Sequence, residues 1–82
     1  MSEDFQAQIA QLRVDDILVG SASTLASVAY AKLEAGDRAE AKRAIDALAA
    51  VIPLLEDESL RRDLGAALAN LQVAFADAPR SA

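Results

Sequence analysis

The chain has no cysteine, no histidine and no tryptophan, two prolines, three glycines, and aromatic rings at only 4% of its positions. Without cysteine there is no disulfide framework, and without cysteine and histidine the usual zinc ligands are gone. The missing histidine also removes the commonest general base. Ser21, Ser23, Ser27 and Ser59 therefore have no imidazole to activate them, and Lys32 or Lys42 would need a buried partner to act instead. No catalytic residue, cofactor site or metal site is expected, and the chain does not read as an enzyme. No stretch approaches the ~20 apolar residues of a membrane span, and Met1-Ser2-Glu3-Asp4 opens acidic where a signal peptide opens basic. These absences point to the cytoplasm.

What is present is aliphatic and small. Hydrophobic residues make up 54% of the 82 positions, mainly Ala, Leu, Val and Ile, a mixture that favours closely packed helices. The length allows one domain, residues 1–82, of a size that buries only about 60 to 65% of the unfolded surface. With disulfides and zinc excluded, self-association is the remaining source of extra stabilisation. The net charge of -5 repels nucleic acid and anionic lipid on average, so neither is an expected partner.

The corner Ala35-Gly36-Asp37-Arg38-Ala39-Glu40 organises the rest. Gly36 can take the left-handed conformation that finishes a helix, Asp37 can cap the next one, and Glu40 completes an Asp-x-x-Glu capping box. Before the corner, Ser2 caps a short N-terminal helix, about 1–13, with an apolar stripe of Phe5, Ile9 and Leu12. The apolar face changes sides near Arg13, where a break with Asp15 as the new N-cap is expected. The second helix then carries Ile17, Leu18, Ser21, Leu25, Val28 and Ala29 up to Ala35. After the corner, Ala41, Ile45, Leu48, Ile52 and Leu55 repeat at spacings of four and three as the core face of the third helix, which Pro53 should bend or end. Glu56-Asp57-Glu58-Ser59 starts a last helix, about 58–76, striped by Leu60, Leu64, Ala67, Leu68, Leu71 and Phe75. Residues 78–82 read as a frayed tail.

Three clusters have competing explanations. Gly20-Ser21-Ala22-Ser23 interrupts a helix with weak formers, which suits close approach of another helix; the spacing of a phosphate-binding loop is missing. Glu56, Asp57 and Glu58 supply hard oxygen ligands but lack the Asp-x-Asp-x-Asp-Gly pattern, and helix capping accounts for them. Arg38, Lys42, Arg43, Arg61 and Arg62 are interleaved with Glu40, Asp46 and Glu58, as expected of solvated faces with modest ion pairs.

Leu25, Ala29, Gly36, Ala41, Ile45 and Pro53 resemble one tetratricopeptide repeat, but no second copy follows to build an array. Over residues 14 to about 77, Asp15-Asp16-Ile17-Leu18, Ala41-Lys42-Arg43-Ala44-Ile45-Asp46-Ala47-Leu48 and Leu71-Gln72-Val73-Ala74-Phe75 resemble a family of small all-helical bacterial domains of unknown function, frequent in actinobacteria. The resemblance implies a helical fold and no catalytic signature. Its members are often encoded near the gene for a translation initiation factor, an association that carries no mechanism.

The expected fold is all-α, a small antiparallel helical bundle: a three-helix core over 14–77 with the N-terminal helix covering one side. Gly65, Ala66, Ala69 and Val73 form a second, small apolar face on the last helix. With Val19, Tyr30 and Phe5 they are the expected contact of a two-fold homodimer. The expected function is a non-catalytic self-associating or protein-binding module. The alternative is an RNA- or ribosome-associated accessory factor working through Arg38, Lys42, Arg43, Arg61 and Arg62.

Overall fold

The computed structural model describes residues 3–79. Helices α1 (Glu3–Ala10), α2 (Val14–Glu34) and α3 (Arg38–Val51), a 3₁₀ turn (Ile52–Leu54) and α4 (Glu58–Asp77) follow in order, with no strand among the described residues. The fold is all-α. The cap expected at Ser2 and the tail residues 80–82 lie outside the described residues.

Gly36 sits at φ +80, the left-handed region in which a Cβ would be strained. Its N–H donates to the carbonyl of Leu33 at 3.1 Å and that of Asp37 to Lys32 at 2.9 Å, so two of the last carbonyls of α2 are satisfied within the turn. Asp37 then caps α3, its carboxylate accepting the Glu40 N–H at 3.2 Å. Only this half of the capping box forms. The Asp37 N–H is already committed to Lys32, and the Glu40 carboxylate accepts from Arg43 instead, at 3.4 Å.

This corner lays α3 along α2, and α4 packs against both. Ala22, Ala29, Ala44, Ile45, Leu48 and Leu71 form the buried cluster, flanked by half-buried Leu25, Leu33, Val51, Leu64, Leu68 and Phe75. Leu48, Leu55 and Leu71 are enclosed on all sides, each contributing about 1.5–3 kcal/mol by burial. The alanines contribute little area but let the helix axes come close. Pro53 ends α3 as expected: the helix tightens into the 3₁₀ turn, after which Leu55 is buried and Leu54 points out, 65% exposed.

Three expectations need correction. The buried face of α2 is centred on Ala22 and Ala29, not on the larger residues Ile17, Ser21 and Val28, which are exposed. The stripe Leu18, Ala22, Leu25 and Ala29 shares all but Ala22 with the expected one, and it is the side on which α3 and α4 pack, where small alanines let the helix axes come close. The break at Arg13 is present, with an extended backbone (φ -89, ψ 137), but no side chain caps α2 there, and Asp15 bonds elsewhere. Finally, α1 does not cover the core: every residue of it is exposed, and helix packing among the described residues joins only α2, α3, α4 and the 3₁₀ turn. The extended Arg13 carries α1 away from the bundle. The fold therefore measures 54 × 29 × 14 Å, although α2, its longest helix, is only about 31 Å long.

Candidate functional site

The geometry of the N-terminal surface begins at the hinge. Backbone N–H groups of Gln11 and Leu12 donate to Gln8 and Ile9 at 3.2 and 3.1 Å, closing α1 in two tight turns. One residue later α2 starts, with the Arg13 carbonyl accepting from Asp16 and Ile17. Asp15 is the anchor. Its carboxylate accepts the N–H of Glu56 at 3.2 Å and that of Asp57 at 3.1 Å, tying the start of α2 to the loop before α4. α2 is thereby held in the bundle while α1 leaves it.

The result is a run of large apolar side chains in solvent. Ile9 and Leu12 on the α1 side are 48% and 56% exposed, and Val14 and Ile17 on α2 are 69% and 53% exposed. Isolated exposed leucines are ordinary, but a sequence of them at helical spacing is how interaction surfaces present themselves. Beyond Ile17 the surface continues as an open groove of about 650 Å³ along α2, lined by Ile17, Gly20, Ser21, Thr24 and Leu25. Its floor is shallow because Gly20 has no side chain and Ser21 a short one. The Thr24 hydroxyl is turned down onto its own helix, donating to the Gly20 carbonyl at 3.0 Å, which leaves its methyl group available to the groove. Val28 and Leu25 extend the apolar lining toward α3, where Ala44 and Ala47 face them across a second, smaller depression.

The residues expected at a dimer contact fall in separate places. Gly65, Ala66, Ala69 and Val73 share the side of α4 turned from Leu64, Leu68 and Leu71; Val73 is 61% exposed and Ala66 and Ala69 are open, with Gly65 half-buried. Val19 is half-buried one turn beyond Asp15, and Tyr30 is 45% exposed about 16 Å further along α2. Phe5, also 45% exposed, lies on α1, which does not pack on α4. The α4 face is thus a strip of small side chains, whereas the bulky exposed residues lie on α1 and the first half of α2. Val14 carried no signal of its own in the sequence, and Ile17 escaped it by fitting the periodicity of a core stripe. The signal that places them outside is the competing set Leu18, Ala22, Leu25, Ala29.

Four of the basic residues, Arg38, Lys42, Arg43 and Arg61, have partners within the chain. Arg38 Nη1 donates to the carbonyls of Phe75 at 2.8 Å and Ala78 at 3.1 Å, and its guanidinium lies 4.0 Å from the centroid of the Phe75 ring. It closes the C-terminal end of α4, so Ala78 is held in place where a frayed tail was expected. Lys42 pairs with Asp46 at 2.8 Å, Arg43 with Glu40 at 3.4 Å and Arg61 with Glu58 at 3.8 Å. Of the acids before α4, Asp57 caps it by accepting the Leu60 N–H at 3.1 Å. No group of three acidic side chains among the described residues is arranged to hold a metal ion, and no helix is long and apolar enough to cross a membrane. Compared with protein-family models, curated proteins and solved structures, the chain matches none.

Proposed function

We propose that this chain is a non-catalytic helical module, an antiparallel bundle of the cytoplasm that associates with a second copy of itself or with a protein partner. The observation that supports this is the exposure of Ile9, Leu12, Val14 and Ile17, four large apolar residues in nine positions, each about half or more in solvent. Apolar surface of that kind gains free energy when another surface covers it, about 25 cal/mol for each Å² removed from water. The bundle beneath supplies rigidity: its buried side chains are aliphatic, and no polar or charged residue is buried among the described residues.

Solution mass by light scattering over a dilution series tests the reading, for the intact chain, Leu12→Glu and Ala69→Glu. The expected result is a dimer that Leu12→Glu dissociates, which places the surface on α1 and α2. Dissociation by Ala69→Glu alone would place it on α4. A monomer at every concentration that also retains no protein in a pull-down rejects the module altogether.

A further inference from the structure

We infer that the groove on α2 receives helix α1 of a second copy, so that two chains exchange their N-terminal helices about a two-fold axis. The inference rests on the self-association proposed above and names its contact.

Surface area carries the first step. A folded monomer of 8.6 kDa exposes about 4,700 Å² by the scaling that holds for compact monomeric proteins. This chain exposes 5830 Å², about 1,100 Å² more. Its radius of gyration is 15.5 Å, where about 12 Å is usual for 82 residues. A stable interface removes about 800 Å² from each partner, so the excess is large enough to supply one dimer contact.

Shape carries the second. α1 has eight residues and is about 12 Å long, and the groove from Ile17 to Leu25 runs about 12 Å along α2. Ile9 on α1 and Leu12 in the turn that follows it are both exposed, as a segment laid apolar side first in a groove requires. The floor of the groove is Gly20, where a Cβ would meet nothing within 4 Å. Packing within the chain therefore gives no reason for glycine in mid-helix, where it costs about 1 kcal/mol relative to alanine. Close approach of a second helix does give one. No residue of α1 packs on α2 of the same chain, and the extended Arg13 aims it outward, the arrangement from which helix exchange closes a symmetric pair.

The full chain provides the test, because with no cysteine of its own any introduced pair reports cleanly. Chains carrying Ile9→Cys are mixed with chains carrying Ser21→Cys and oxidised mildly, and the dimer dissociation constant is measured for Gly20→Leu beside Gly20→Ala. Expected are a disulfide joining the two different chains and a dissociation constant raised measurably by Gly20→Ala and about tenfold or more by Gly20→Leu. The Cβ of either substitution meets nothing within 4 Å in the monomer, and circular dichroism with urea unfolding confirms that each variant folds. If a dimer forms but neither cross-links nor responds to Gly20→Leu, helix exchange is wrong while self-association stands. If the double variant Ile9→Cys/Ser21→Cys links only within one chain, α1 closes on its own groove and the exchange is overturned. A monomer in every sample overturns the exchange and the self-association together.

Discussion

The carboxylate of Asp15 accepts the backbone N–H of Asp57 at 3.1 Å across 42 positions of the chain, and the N–H of Glu56 at 3.2 Å beside it. Asp57 in turn caps α4, so the two aspartates act in series: one holds the loop, the other starts the helix. The first turn of α2 thus fixes where α4 begins, and with it the far side of the core.

Replacing Asp15 by Ala should therefore lower the stability of the fold by about 1–2 kcal/mol, since two backbone donors lose a charged acceptor at a half-exposed site. Asp15→Asn should lose less, because an amide oxygen can still accept one of them. Urea unfolding followed by circular dichroism measures both. Equal stability of Asp15→Ala and the parent chain would show that the loop holds its shape without α2.

Arg38 closes the opposite end. Its Nη1 donates to both carbonyls while the rest of the planar guanidinium lies over the Phe75 ring, and the compact ammonium of lysine can occupy one of these places but not both at once. Arg38→Lys is expected to destabilise the protein nearly as much as Arg38→Ala, by about 1–2 kcal/mol. A double-mutant cycle with Phe75→Leu should return a coupling of about 0.5–1 kcal/mol. Zero coupling would assign the whole effect to the carbonyls.

The glycines divide by conformation. Gly36→Ala should destabilise by about 1–2 kcal/mol, because φ +80 brings a Cβ against the following carbonyl. Gly65→Ala should stabilise by about 0.5–1 kcal/mol, since Gly65 is helical and a Cβ there meets nothing within 4 Å. Thermal unfolding at low protein concentration gives both signs. Stabilisation at Gly65 that reverses at high concentration would reveal a second chain lying close against α4.

Much of this architecture is local in origin, and for that reason legible in the sequence. Gly36 and Asp37 specify a corner through their own backbone preferences, Pro53 ends a helix by lacking a donor, and Asp57 caps α4 through its immediate neighbours. The corner, the end of α3 and the start of α4 follow from such effects, together with the period of Ala41, Ile45 and Leu48; the end of α1 at Ala10 and the uncapped start of α2 at Val14 do not. Which side of α2 is buried does not, because two stripes that share Leu18, Leu25 and Ala29 satisfy the same period. The choice belongs to the tertiary structure, where α3 and α4 can approach α2 together only over Ala22 and Ala29. The same packing turns Ile17 and Val28 outward, draws Asp15 to a loop 41 and 42 positions away and Arg38 to the end of α4, and leaves α1 beyond the reach of the core. Periodicity marks a residue as apolar-faced; only the presence of a neighbouring helix decides whether that face is inside the protein or offered to another molecule.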